Sequence, residues 1–479
     1  MKITIIDEIN AKMDAPKSVI NHVISRTKLK VKGAHVTAAF KSGNWDGKES
    51  LVREDGLFFF PQLEEIFNAL AELDIYEDHF DVEDMRQPLK HPDSLPPVEL
   101  ETFIEHGWTL RIHQKDALNA IIESEKGIIS VATSGGKSGI MAATAKIYDP
   151  WYGSLTTTPS EELVFQLKDT YESFGIDVGV LTKAIKPKDR EEFIKTTKHI
   201  ITTNKIFLNT SDYFDGQQRV FLKDEVHTFG EKDAESIRGN LGDCPIRLGF
   251  TGTLPKKSDD EFKRNNIINH MGGGILIDIG VGYLNENNYI SKFHVDMIKI
   301  KDSIGAEKFD EIGKDWWDWQ MEEKHLARCQ ERIEEIATIV HKYGTENTLV
   351  LTRAELGRNL AEYMDIPFID KDVKTKVRKE FFNEFDARDD YVLCGTFGCV
   401  GTGLDISRIF NLIIIDTGKN PTYIGQGIGR ALRKDGDRDV VRIIDVYSDT
   451  HFSNKQVKER KKYYKQHGYP FNELEVRKI

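Results

Sequence analysis

From about residue 114 onward, short apolar runs rich in β-branched residues alternate with stretches of 3.6-residue periodicity. The runs at 127–132, 153–158, 199–203, 220–223 and 247–250 read as buried strands, and 114–124, 139–148 and 161–174 read as helices between them. That alternation is the signature of an α/β domain built on a parallel sheet. It resumes at 348–352, 367–369, 391–394, 412–416 and 440–445, so the expected fold is two α/β units in tandem. No internal repeat of fixed period and no low-complexity tract interrupts the pattern.

A small module precedes the first unit. It has strand-like runs ITIID, KLKVKG and GLFFFP, a helical pattern over 62–73, and a Gly- and Asn-rich turn, Phe40-Lys-Ser-Gly-Asn-Trp-Asp-Gly-Lys48. The stretch QPLKHPDSLPP, residues 87–97, carries four of the fourteen prolines and reads as a stiff boundary linker. The expected domains are therefore 1–95, 96–285 and 286–479, within the roughly three-domain prior for 479 residues.

Net charge is −12, which argues against a protein coated with nucleic acid but leaves room for one basic groove. Arg26, Lys28, Lys30, Lys32, Lys41, Lys48 and Arg53 crowd the early chain, residues 72–84 are acidic, and 455–465 form a second basic run. Charge runs are usually solvated faces, so these mark candidate tracks only. The N-terminal module either presents duplex or junction DNA with the Lys41–Lys48 turn and Trp45, or packs Trp45 inward and braces the first unit. The 458–465 run, with Tyr463 and Tyr464, reads equally as a phosphate-binding face or as an amphipathic closing helix. Trp316, Trp317 and Trp319 fit packing better than base stacking.

No run approaches the ~20 apolar residues of a membrane span. MKITIIDEINAKMD has acids where a secretory signal is apolar. Cys244, Cys329, Cys394 and Cys399 form no CxxC pair, which points to reduced thiols and a cytoplasmic setting.

Four motifs carry chemistry. Val131-Ala-Thr-Ser-Gly-Gly-Lys-Ser138 lies between a strand and a helix, the context of a phosphate-binding nest of backbone N–H groups. Lys137 would meet the β- and γ-phosphates and the Ser138 hydroxyl would ligate Mg²⁺, with Ser134, Gly135 and Gly136 shaping the loop. The strict pattern has Gly where Val131 stands, and GGKS alone is also a common surface turn. Val220-Phe-Leu-Lys-Asp-Glu-Val-His227 ends an apolar run in acids: Asp224 suits Mg²⁺ through water, and Glu225 suits a base that orients and deprotonates water. Thr251-Gly-Thr253 offers hydroxyls to the Asp224/His227 region, or is a plain turn. In the second unit, Thr396-Phe-Gly-Cys-Val-Gly-Thr-Gly-Leu-Asp405 precedes Gln426-Gly-Ile-Gly-Arg-Ala-Leu-Arg433. There Arg430 and Arg433 share a helical face with Gln426, an arginine-finger spacing that a surface-paired basic helix would also show.

The order Leu110-Arg-Ile-His-Gln114, GGKS, DEVH, TGT, the Thr396–Asp405 motif and QGIGRALR resembles that of superfamily-2 helicases, over roughly residues 100–450. FKSGNWDGK, HQKDA, the Ser-for-Gly phosphate loop and the late basic Tyr-rich helix extend the likeness over nearly the whole chain. They resemble the UvsW-type branch-migration helicases of T-even bacteriophages. The resemblance implies two RecA-like lobes behind a small α+β domain, with ATP and Mg²⁺ as cofactors. It implies that Gln114 reads adenine, that Gln426, Arg430 and Arg433 sense the γ-phosphate, and that Gly403 and Asp405 lie at the nucleotide and lobe interface. His227, Thr251 and Thr253 would couple the nucleotide to movement, and Thr158, Thr203, Thr352 and Thr396 would contact the nucleic-acid backbone.

The expected function is an ATP-dependent DNA helicase that remodels forks, Holliday junctions and R-loops alongside phage recombination or replication proteins. A duplex translocase without strand separation and an ATP-gated nucleic-acid clamp are the alternatives. The absence of a nuclease motif weakens the first, and the complete set of acids and arginines weakens the second.

Overall fold

The computed structural model describes the chain apart from Lys256, Asp259, Gln426, Arg430 and residues 314–316, 401–407, 417–424 and 433–439, and apart from the side chains of Thr375 and Val400. The chain divides into two compact units, Met1–Val131 with Gly136–Asp278, and Ala132–Gly135 with Ile279–Ile479.

The main sheet of the first unit has seven strands in the order Ile275–Ile279, Lys126–Val131, Ile246–Thr251, Arg219–Lys223, Gly153–Thr158, His199–Thr203, Val178–Leu181. Every pairing described within it is parallel. The central strands are buried along their length, as a sheet covered on both faces requires. Helices Lys137–Tyr148 and Glu161–Ser173 follow their strands in the expected places. Motifs at the C-terminal ends of adjacent strands are thereby brought to one edge of the sheet, where open α/β sheets bind ligands.

The N-terminal module belongs to the first unit. Its four-stranded sheet, ordered Leu57–Phe59, Asn10–Asp14, Lys2–Ile5, Asp81–Asp84, is mixed. Helices Lys17–Arg26 and Leu63–Ala71 close a core of Ile3, Met13, Val23, Phe58, Ile66 and Leu70. Arg247, fully buried on the main sheet, ties the module down: its guanidinium donates to the carbonyls of Cys244 (2.7 Å), His270 (3.2 Å) and Glu8 (2.7 Å). Lys126 pairs with Glu8, and Arg238 bonds the Asn10 amide oxygen at 2.5 Å while lying over the Phe59 ring. The proline-rich stretch has no helix or strand, yet it is strapped down rather than free. Lys90 N–H donates to the Tyr152 hydroxyl at 2.9 Å, and His91 is buried between Tyr152 and Glu125.

The second unit carries a seven-stranded parallel sheet ordered Phe368–Ile369, Val392–Thr396, Thr348–Thr352, Asn411–Ile415, Val440–Ser448, Lys292–Lys301, Phe471–Lys478. Lys292–Lys301 and Phe471–Lys478 escape a search for apolar runs because polar residues alternate through both. The latter is an edge strand, where alternating charges blunt association with other edges. Helix His451–Gln466 turns Tyr463, Tyr464 and Arg460 inward, the last holding Asp445 with two 3.0 Å bonds, and leaves Lys458, Lys462 and Lys465 exposed. Trp317 is buried and donates to Glu322 at 3.1 Å, and Trp319 packs against Phe452 with Arg353 over its ring, so both are packing residues. Trp316 lies outside the described residues. No described helix is long and apolar enough to cross a membrane.

Candidate nucleotide and nucleic-acid site

Within the first unit, Lys126–Val131 delivers its chain to Gly136, whose φ of 85° lies in the left-handed region. A Cβ there would also push the Gln114 amide aside, but it is the positive φ that favours glycine. Lys137 opens the helix, and its ammonium donates to the Val131 carbonyl at 3.0 Å, folded across the loop that it would serve. Ser138 is exposed in the first turn. Gln114 lies alongside, its Oε1 accepting from Arg111 N–H at 2.9 Å and its Nε2 donating to the Gly136 carbonyl at 3.3 Å. Trp108, not singled out from the sequence, approaches the Cβ direction of Gly139 at 3.5 Å and stacks on Phe174. An aromatic residue six positions before Gln114 was the available signal.

Ser134 and Gly135 fall in the short stretch that groups with the second unit. Ser134 has φ of 68°, so a side chain stands where glycine is favoured, and its hydroxyl donates to the Gly429 carbonyl at 2.6 Å.

Arg219–Lys223 ends at Asp224, which is buried. Its N–H donates to the Thr157 carbonyl at 2.8 Å, and its Oδ1 accepts from Glu225 N–H at 2.9 Å. Burial pushes the Asp224 carboxyl up to about 7, Glu225 pushes the same way, and Lys137 pulls against them. Glu225 adopts φ of 47°, a left-handed conformation that turns the chain sharply at the strand end. His227 Nδ1 lies 3.0 Å from Thr251 Oγ1, 3.4 Å from Thr253 Oγ1 and 3.2 Å from Glu225 Oε2. The DEVH and TGT segments, 24 residues apart between His227 and Thr251, thus meet around one imidazole.

Two family models match in tandem: "Type III restriction enzyme, res subunit" over residues 108–256 and "Helicase conserved C-terminal domain" over 331–435. The chain belongs to the superfamily-2 helicases. It is 20% identical to the ATP-dependent DNA helicase uvsW of Enterobacteria phage T4, covering 97% of this chain and 93% of that one. It is 22% identical to the DNA 3'-5' translocase XPB2 of Sulfurisphaera tokodaii, covering 71% and 82% respectively. Among solved structures, the helicase MrfA bound to DNA aligns with TM-score 0.55 at 15% identity, covering 81% of this chain and 57% of that one; this shows the fold.

In this helicase the four threonines expected at nucleic acid stand in two pairs. Thr203 is the register partner of Thr158, and Thr352 is the partner of Thr396, each pair at the C-terminal ends of neighbouring strands. The Thr158 and Thr352 hydroxyls are buried and have no hydrogen-bond partner among the described residues, whereas Thr203 caps helix Asn204–Leu208. Gly403, Asp405, Gln426, Arg430 and Arg433 lie outside the described residues. Cys394 is buried, and burial pushes its thiol up to about 12, which makes it a core residue rather than a reactive one.

Proposed function

We propose that this helicase is an ATP-driven DNA motor that remodels branched DNA by branch migration, fork regression and the unwinding of R-loops or D-loops. The observation that carries this reading is the reach of the uvsW similarity. It runs through 97% of the chain and so includes the N-terminal module, which neither motor-domain model covers. That module supports it chemically. Residues 26–53 contain seven Lys or Arg against Asp46, Glu49 and no other acid, in a chain of net charge −12. They form the antiparallel pair Lys28–Lys30 and Lys48–Ser50, with Lys32, Lys41 and Lys48 exposed and the Trp45 indole N–H closing the turn onto the Lys48 carbonyl at 2.9 Å. Phosphate-binding charge concentrated on one excursion suits contact with duplex arms beside the motor.

The donor set also fits Mg-ATP. Ser138 and Asp224 would hold the cation with oxygen ligands alone, the choice of a hard divalent ion that keeps most of its water and phosphate ligands. The ion would neutralise charge on the phosphates when bound. Lys137 meets the β- and γ-phosphates, Gln114 reads the base, and Glu225 takes the proton of the attacking water. Gln426, Arg430 and Arg433 answer the developing charge from the second lobe, with Gly403 and Asp405 alongside. His227, Thr251 and Thr253 relay the nucleotide state, and Thr158, Thr203, Thr352 and Thr396 grip the phosphate backbone. The setting is the cytoplasm, that of a host cell if the chain is phage-encoded, with recombination or replication proteins as partners.

The deciding experiment compares ATPase and strand separation on single-stranded, linear duplex and forked DNA. The reading expects forked DNA to be preferred and unwound. It also expects Lys32→Glu/Lys41→Glu/Lys48→Glu to lose that preference, with the salt slope on duplex falling by about 0.9 for each phosphate that the variant no longer neutralises. Translocation along duplex without strand separation would favour the second reading, to which the likeness to a 3'-5' translocase lends weight. Binding without turnover would leave only an ATP-gated clamp.

A further inference from the structure

Lys223 stands one residue before Asp224, inside a strand whose five residues are all buried, and it has no exposed surface at all. Its ammonium lies 2.8 Å from Asp233 Oδ1 and 3.0 Å from Asn204 Oδ1. Asp233 sits in helix Glu231–Asn240, and its other oxygen accepts from Gly230 N–H at 3.1 Å. Asn204 is the residue after Thr203 and the first of helix Asn204–Leu208, which the Thr203 hydroxyl caps by accepting from Ile206 N–H at 3.3 Å.

The sheet itself does not join these elements. Gly153–Thr158 runs between Arg219–Lys223 and His199–Thr203, and the register sets Lys223 level with Thr157, and Thr157 level with Thr202. Two strand spacings, roughly 9–10 Å, separate the backbones. The long lysine side chain crosses the intervening strand and reaches the turn directly. Stability alone is a weak reason for such a residue, since burying a charge costs desolvation that an apolar side chain of similar volume avoids.

We propose that Lys223 is a positioning residue that makes the turn after Thr203 and the acids Asp224 and Glu225 move as one body, so that nucleic acid at the turn raises the rate of ATP hydrolysis. The path runs from Thr203 through Asn204 to the Lys223 ammonium, and along one peptide unit to Asp224. This rests on the reading that Thr203 faces nucleic acid. Asp233 also holds the ammonium, so the lysine keeps a charged partner when Asn204 shifts. The link is distinct from the His227–Thr251 contact, which joins the acids to the neighbouring strand on the other side.

The test is the full-length chain with and without single-stranded oligothymidylate. Asn204→Ala keeps the Lys223–Asp233 pair and so guards against misfolding, which thermal melting checks. Expected is basal ATPase within about twofold of wild type, with the maximal stimulated increment cut about tenfold, the size of a typical coupling between sites. The oligothymidylate concentration for half-stimulation should shift much less than the maximal rate. Lys223→Met should lose the stimulated increment to the same extent whatever its basal rate, the double variant should be stimulated no less than either single one, and Lys223→Arg should recover part of the stimulation. Full stimulation in Asn204→Ala, or an equal loss of basal and stimulated rates in both variants, overturns the proposal. A wild-type chain that oligothymidylate fails to stimulate overturns the underlying reading as well.

Discussion

His270 should make the first unit acid-sensitive. Its ring lies between Phe59, centroids 4.6 Å apart, and Phe229, 5.0 Å apart, on helix Glu261–Met271. Nδ1–H donates to the Asn266 carbonyl at 2.8 Å, and Nε2 is buried without a partner among the described residues. Protonation would bury a positive charge beside the Arg238 and Arg247 guanidiniums, with the Ala234 backbone the only group left to favour the new N–H. Burial lowers the imidazole from 6.5 to about 3, the two arginines add to the fall, and the Asn266 and Ala234 backbones oppose it. Because the folded value is depressed, the unfolded chain binds the extra proton between pH 6.5 and about 3. Stability from this group is complete above 6.5 and is lost as pH falls through that window. Between pH 7.5 and pH 5.0 the loss should be about 2 kcal/mol, from 1.5 pH units at roughly 1.36 kcal/mol each. Urea unfolding of wild type and His270→Asn at the two pH values measures it. The asparagine amide can keep the bond to the Asn266 carbonyl but cannot titrate. The variant will be less stable at both pH values, and the quantity that matters is the difference between them. If wild type and His270→Asn lose the same stability on acidification, His270 is not the sensor and the burial argument fails.

Lys137→Ala should abolish ATP turnover while sparing most DNA binding, which filter binding and phosphate release separate; turnover above about a tenth of wild type would remove the lysine from phosphate contact. Glu225→Gln should bind ATP and hold it unhydrolysed, as nucleotide retention on a spin column would reveal, whereas wild-type turnover would end its role as base. Arg430→Ala and Arg433→Ala should lower kcat far more than ATP affinity, by ~10³–10⁵-fold for an arginine finger. Either variant hydrolysing at full rate with saturating DNA would make that arginine structural. Arg247→Met should cost about 3 kcal/mol or more, because three buried carbonyls lose their donor, and should expose residues near Glu8 to proteolysis. Unchanged urea midpoint and cleavage pattern would show that Arg247 does not tie down the module.

The sequence by itself determined the parts of this protein that depend on near neighbours in the chain. Apolar β-branched runs separated by helical periods specify parallel strands, and the runs 153–158, 199–203 and 348–352 coincide with the strands formed. A glycine-rich turn between a strand and a helix is likewise a local arrangement, which is why GGKS is legible in the sequence. Strands that do not look apolar were beyond this reach. Lys292–Lys301 is second from the sheet edge with polar residues at alternate positions, and its membership is decided by its parallel partners on both sides. Tertiary structure alone decided the rest, for the physical reason that burial and hydrogen-bond partners come from residues distant in sequence. Lys223 looks like a flaw in an apolar run until Asn204 and Asp233 close around it. Arg247 opens a run read as a buried strand, and what answers its charge is settled only when the chain brings the Glu8 carbonyl to it from 239 residues away. The proline-rich stretch reads as a stiff boundary linker, and becomes a strap only because Tyr152 and Glu125 stand where Lys90 and His91 pass.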